Sequence, residues 1–173
     1  METVTEHLKR RHIDLTLHRP NVDEVERVAT FWLYTVTGKF VGYQQYRPDA
    51  DKVRNNDPYM SRYFTKRKQP THAVWGVESL HLTPHVVFVT EGVFDACRFT
   101  ELGYSALALL TNDPPRDLKN WLQMLNRKVV AVCDNDPAGR RLAKFGDVAV
   151  FTGEKDLGDE TEEYVRKLVS DYG

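Results

Sequence analysis

The stretch "VTEGVFDACRFTELG", residues 89–103, sets a carboxylate, Glu91, at the end of an apolar run and follows it at once with a glycine. The run that precedes it, "HVVFVT" over 85–90, is short and continuously apolar, as a strand buried on both faces should be. Residues 93–102 then take on helical character and stop at Gly103. An acid at such a junction is either a helix-start device or the first member of a metal site, and the residues downstream decide between the two.

The same grammar recurs to the end of the chain. "SALALL" (105–110), "KVVAVCD" (128–134) and "VAVFT" (148–152) are further buried-strand candidates. Helices are expected over 114–126, opened by Asp113-Pro114, over 137–145, opened by Asp136-Pro137, and over 160–170. Alternating strands and helices predict an α/β domain with a mainly parallel sheet covered by helices. In such sheets, functional groups gather beyond the carboxyl ends of the strands. Glu91, Asp134, Asp136 and Asp156 all fall there.

Four carboxylates drawn to one edge repel unless a cation joins them. With no sulfur or histidine at helpful spacing, the donor set favours a hard ion, Mg²⁺ or Mn²⁺, and with it metal-assisted phosphoryl or nucleotidyl transfer. Each acid also has a structural reading. Asp136 is well placed as an N-cap with Pro137 in the first helical position, and Asp159 opens an Asp-x-x-Glu capping pattern with Glu162.

The front of the chain is different. Residues 1–27 read as one amphipathic helix or a polar arm without an assignable role, and "ATFWLYTVTGKFVGYQQYR" (29–47) reads as a hairpin turning at Thr37-Gly38-Lys39. Residues 47–76 read as loop, and within 47–68 seven basic residues stand against three acidic ones, with Tyr59, Tyr63 and Phe64 interleaved. Cations alternating with rings suit a phosphate backbone and stacked bases; the same pattern also suits a solvated loop that packs a few rings onto a core. Residues 1–78 carry 13 basic and 10 acidic side chains, residues 79–173 carry 11 and 15, so the polyanion-facing surface is expected in front.

The 173-residue length, with 41% hydrophobic and 28% charged residues, fits one domain plus a small subdomain and excludes a disordered chain. Cys97 and Cys133 sit in apolar runs and read as buried thiols, not as a disulfide or zinc framework. No long apolar span and no apolar core in "METVTEHLKRRH" mark a membrane or secreted protein, so a cytoplasmic location and no membrane partner are expected. His72, His81 and His85 lack ligand spacing, and Trp32, Trp75 and Trp121 read as core.

"TEGVFDA" at 90–96, "CDNDPAGRRLA" at 133–143 and "GEKDLGDETEEYVRK" at 153–167 together resemble the signature of the Toprim domain: a strand-terminal Glu-Gly, a later Asp-x-Asp and a further acid. Within that group the chain is most similar to the catalytic core of bacterial and phage DNA primases. "GKFVGYQQYRPD", "SRYFTKRK" and "AVWGVE" extend the similarity to the small basic α+β subdomain that precedes Toprim there, so that it covers residues 31–168. The resemblance implies a basic subdomain (31–84) and a Toprim domain (85–173), and leaves residues 1–30 as an N-terminal arm or helix of unknown role.

It also implies roles. Glu91 would be a metal-site acid and general base on the primer hydroxyl. Asp134, Asp136 and Asp156 would complete the Mg²⁺ site, with Asp95, Gly92, Gly139 and Asp159 around it. Arg47, Arg62, Tyr63, Lys66, Arg67, Lys68 and Lys155 would meet template or nucleotide. The implied activity is synthesis of short RNA primers on single-stranded DNA from ribonucleoside triphosphates. A helicase or a separate zinc-binding module would act in trans, since no zinc module precedes the core, and the small size suits a phage or mobile-element protein. A Toprim nuclease and a non-catalytic single-strand-binding module are the alternatives. One departure stands out: primases usually carry a glycine after the second strand, where this chain has "LALLTNDPP", with Thr111 and Asn112 in that region.

Overall fold

A computed structural model describes the whole chain apart from Arg54, Asn55, Gln69, Pro70, Thr71 and Asn112. It divides into two compact units, Met1–Ala73 and Val74–Gly173. Residues 1–30, expected as an arm or helix, belong to the first unit, and the division between the units lies ahead of 84/85.

The first unit opens with α1 (Val4–Arg10) and α2 (Leu15–His18), followed by β1 (Asn21–Asp23), β2 (Val28–Tyr34), β3 (Phe40–Tyr46) and β4 (Tyr63–Arg67). A reciprocal Thr3–Glu6 capping box starts α1, and Asp14 caps α2. The Glu24 carboxylate accepts from the Val4 and Thr5 amides at 2.8 and 2.9 Å, and Val4 and Leu8 are buried; together these hold the N-terminal segment to its unit. The strands form an antiparallel sheet in the order β1-β2-β3-β4. Gly38 turns the β2–β3 hairpin at a φ of +84°, a value that favours glycine. β4 lies where sequence reasoning placed only loop. Its residues are mostly exposed, so the burial alternation that marks a strand is missing, and it gains its structure by pairing with β3.

The second unit carries β5 (Val86–Thr90), α3 (Val93–Thr100), β6 (Ala106–Ala108), α4 (Arg116–Met124), β7 (Lys128–Cys133), α5 (Pro137–Leu142), β8 (Val148–Phe151) and α6 (Glu162–Tyr172). The four strands are parallel in the order β6-β5-β7-β8, and β5 and most of β7 are buried throughout. Trp75 bridges to Ala108, which ties residues just after 73 to this unit. Phe88 and Phe99 stack at 4.3 Å between centroids, setting α3 onto β5. The strand and helix order expected for 85–173 holds; α3, α4 and α5 are shorter than expected, α4 starting only at Arg116 behind Pro115, and α6 lies two residues further on. No helix among the described residues is long and apolar enough to cross a membrane.

Candidate functional site

Glu91 follows β5, Asp134 follows β7, and Asp156 lies in the loop beyond β8, so the parallel sheet delivers the acids to its carboxyl edge as its topology requires. Asp134 and Asp136, with Asn135 between them, line an open cleft of about 530 Å³ whose other wall is Thr152, Gly153, Glu154, Lys155 and Asp156. Glu91 does not line that cleft but feels the Asp134 and Asp136 charges.

The acids differ in what else they do. Asp136 caps α5, its Oδ1 accepting the Gly139 amide at 2.7 Å, so its structural reading holds, and it remains exposed. Asp95 accepts the Gly158 amide at 2.8 Å and so fastens the loop that follows Asp156. Asp159 lies exposed in the short turn Leu157–Asp159 and does not cap α6; Thr161 does, accepting from the Tyr164 amide at 3.2 Å. Glu91 and Asp134 are half-buried, and among the described residues neither carboxylate receives a hydrogen bond. Burial first, then the Asp134 and Asp136 charges, push the Glu91 carboxyl above its ordinary range. Burial, then Asp156 and Asp136, do the same to Asp134.

Two half-buried carboxylates without donors and with anionic neighbours are unfavourable as they stand, and a cation is the group that would relieve them. The donors are all oxygen, which fits Mg²⁺ or Mn²⁺. Among the described residues no three His, Cys, Asp or Glu side chains converge on one point. Mg²⁺ keeps several waters and needs only one or two carboxylates, so the pairs around Asp134 suffice by donor chemistry.

Gly139 has a reason that the resemblance did not supply. A Cβ there would lie 1.9 Å from the Asp134 carbonyl oxygen, so the absent side chain lets the first turn of α5 rest on the backbone that carries Asp134. Gly92 is under little such pressure, its added Cβ meeting only an Asp95 carboxylate oxygen at 3.3 Å.

Two further residues shape the site. Arg98 on α3 is 2% exposed, and its Nη1 donates to the carbonyls of Glu160 at 2.7 Å and of Leu157 and Gly158 at 3.2 Å. With Asp95 one helical turn earlier, it clamps the segment after Asp156 from both its donors and its acceptors. Sequence reasoning missed Arg98; the only signal was a basic residue amid the apolar positions of α3. Leu110 holds a φ of +59°, a left-handed backbone that leucine rarely adopts, while its amide donates to the Glu91 carbonyl at 2.9 Å. The strain at Leu110 falls just before the segment where the resemblance expected a glycine; there Thr111 Oγ1 accepts the Asp113 amide at 3.1 Å, and Asn112 lies outside the described residues.

In the first unit the predicted cations separate into two groups. Arg47 donates to the Tyr59 and Glu26 carbonyls at 3.0 and 2.9 Å, and Arg62 to Ala50 at 2.7 Å, so both brace loops. Lys66, Arg67 and Lys68 are exposed on and just after the edge strand β4. Tyr63, 47% exposed, packs against Tyr46 at 5.1 Å. Trp75 is buried as expected, Trp121 half-buried, and Trp32 is 39% exposed, contrary to its core reading.

The chain matches no protein-family model and no curated protein. It does match solved structures. Against the Aquifex aeolicus primase (zinc-binding and RNA polymerase domains) the TM-score is 0.70 at 18% identity, covering 98% of this chain and 55% of that one. A DNA primase domain from Pseudomonas aeruginosa gives 0.64 at 16%, covering 91% and 57%. A DnaG primase catalytic domain bound to ssDNA gives 0.55 at 18%, covering 92% and 59%. The chain thus spans little more than half the length of these structures, and what it shares with them is the fold of a DNA primase catalytic core.

Proposed function

We propose that this chain is a primase-type nucleotidyltransferase that joins ribonucleotides on a single-stranded DNA template. The observation that carries the reading is the pair of donor-less, half-buried carboxylates, Glu91 and Asp134, set with Asp136 and Asp156 at the carboxyl edge of a parallel sheet, in a chain with a primase-core fold.

In the reaction a primer hydroxyl attacks the α-phosphorus of an incoming triphosphate, the new P–O bond forms and pyrophosphate leaves. Mg²⁺ or Mn²⁺, when bound, supplies charge neutralisation at the phosphates. Asp134, paired with Asp156 or Asp136, would hold it, as a Toprim-like site. Glu91, whose raised proton affinity suits a general base, takes the hydroxyl proton. Lys155, exposed on the cleft wall, balances phosphate charge, and Arg98 with Asp95 keeps the wall that carries Asp156 in place. Lys66, Arg67 and Lys68 face solvent and meet the polyanion. The reading places the reaction in a bacterial cytoplasm, in phage or mobile-element replication, with a helicase or zinc-binding module as partner in trans.

The test is incubation of the chain with mixed-sequence single-stranded DNA, labelled ribonucleoside triphosphates and Mg²⁺ or Mn²⁺, beside Asp134→Asn, with product and template resolved on one gel. Short new oligonucleotides made by the wild type and absent with the variant support the reading. Metal-dependent shortening of the template instead would replace it with a nuclease.

A further inference from the structure

The antiparallel sheet of the first unit has two unlike faces. Ala29, Phe31, Leu33 and Tyr46 point into the core and are fully buried. On the other face, strand register sets Trp32, Tyr43 and Lys66 in one row across β2, β3 and β4, and Thr30, Gln45 and Phe64 in the next. Further rings adjoin both rows. Phe40 lies edge-on to Trp32 at 5.9 Å, and Tyr59 packs on Phe64 at 4.4 Å, with Phe64 in turn 6.4 Å from Tyr43. Three of these rings are open to solvent: Trp32 is 39%, Phe40 55% and Tyr59 52% exposed.

Exposed rings on β2, β3 and the turn before β4, with the half-buried Tyr43 and Phe64 beside them, are costly unless something covers them. The character of the face selects the occupant. Its exposed apolar groups are rings, each offering a flat π-surface. Its register neighbours are an amide, a hydroxyl and a lysine, and Lys39 lies exposed one residue before Phe40. Lysine is depleted at protein–protein interfaces, whereas rings flanked by cations are the composition of a base-stacking surface. The unit's charge agrees, with 13 basic against 9 acidic side chains over residues 1–73. Strand spacing of about 4.8 Å and a same-face repeat of about 6.6 Å along a strand space such rings for consecutive unstacked bases.

We infer that this sheet face is a stacking platform for single-stranded nucleic acid, with Trp32, Phe40 and Tyr43 receiving bases and Lys66 a phosphate. It deepens the proposed function by naming where a strand lies, and rests on that reading only for the strand's role in synthesis. The strand is the DNA template; RNA product, which offers the same bases and phosphates, is an alternative outcome of the test. Recognition by stacking tolerates any sequence, as copying requires.

The test uses the full chain in EDTA, so that binding is read apart from chemistry, with fluorescently labelled oligo-dT and oligo-rU of about 20 nucleotides, long enough to cross a sheet face. Affinity is measured by anisotropy at several salt concentrations for wild type, Trp32→Ala, Phe40→Ala and Lys66→Gln. All three changed side chains are exposed, and circular dichroism checks that each variant folds. Each ring removed should weaken binding roughly tenfold without changing the salt slope, while Lys66→Gln should lower the slope of log K against log salt by about 0.7. Binding of dT at least as tight as that of rU is expected of a template face, and tighter binding of rU would overturn that assignment.

Folded ring variants that bind both oligonucleotides as wild type does would overturn the inference. So would a wild-type dimer that Trp32→Ala dissociates without loss of oligonucleotide binding, since the face would then be a self-interface. Loss of binding in ring variants of a chain that makes no primers would leave the platform standing and remove the proposed reaction instead.

Discussion

Replacing Arg98 by methionine keeps most of the side-chain volume and removes the charge and all donors, which isolates what the clamp contributes. The Nη1 nitrogen carries two hydrogens and faces three carbonyls, so it makes at most two full-strength bonds, the 2.7 Å contact to Glu160 and one shared between Leu157 and Gly158. Charge-assisted bonds of this kind contribute about 1.5–3 kcal/mol each, or about 3–6 together. Against that stands relief from holding a guanidinium away from water, a cost visible in the downward push that burial gives the Arg98 pKa. Two details limit the damage: the Leu157 carbonyl keeps its bond from the Glu160 amide at 3.1 Å, and the half-buried Glu160 carbonyl regains water. Because the partners are neutral carbonyls, methionine strands no opposing buried charge. The net loss should be about 2–4 kcal/mol. Urea unfolding gives the stability, and amide exchange followed by mass spectrometry gives the local effect, with faster exchange over 157–160 than elsewhere on the sheet. Arg98→Lys should fall between, since one ammonium cannot span the same carbonyls. Wild-type stability in Arg98→Met, with unchanged exchange over 157–160, would refute the clamp.

Gly139→Ala should destabilise the chain by at least about 2 kcal/mol in the same urea assay, because its Cβ is driven to 1.9 Å from the Asp134 carbonyl, while Gly92→Ala should cost less than about 1 kcal/mol. At Leu110, with its φ of +59°, the usual order should invert: Leu110→Val, β-branched in a left-handed backbone, should be less stable than Leu110→Gly despite keeping more buried carbon. His18 is held down to about 4, chiefly by burial. Its folded pKa lies below the unfolded value near 6.5, so its neutral form contributes stability that is complete above about pH 6.5 and lost as pH falls toward 4, by up to about 3 kcal/mol. His18→Leu should flatten that part of the pH dependence of amide exchange in β2 and β3, and an unchanged slope would remove His18 as its source. Asp134→Asn should melt higher than wild type in EDTA at neutral pH, since the raised Asp134 pKa means its charged form opposes folding, and should lose any rise in melting temperature that millimolar Mg²⁺ gives the wild type.

The second unit was legible because β5, β6 and β7 are buried on both faces and announce themselves as apolar runs, whereas β8, read as a buried strand, is an edge strand with Ala149 and Phe151 exposed. "HVVFVT" and "KVVAVCD" need no tertiary information to be placed. β4 was not legible, since Tyr63–Arg67 alternates rings, threonine and cations without a buried period, and only pairing with β3 makes it a strand. Trp32 misled for a related reason. A tryptophan between buried Phe31 and Leu33 looks like core, but period-two alternation turns it to the other face. Arg98 and Leu110 were out of reach because their significance lies in partners far along the chain or in a dihedral angle, neither of which leaves a local trace.

The acids show where stability and function part company. Asp136 and Asp95 each satisfy a backbone amide, so their carboxylates would be kept by folding alone. Glu91 and Asp134 receive no hydrogen bond among the described residues, lie half-buried and are pushed toward protonation by their neighbours, and each would be replaced to advantage in a chain selected only to fold. A local rule broken twice at adjacent strand ends, beside a leucine held in a left-handed backbone, is the pattern of a site that keeps its charges for something absent from the chain itself. The glycine that seats α5 on the Asp134 backbone and the arginine that clamps the loop after Asp156 then have one purpose in common: they fix the directions of carboxylates that gain nothing from each other until a cation arrives.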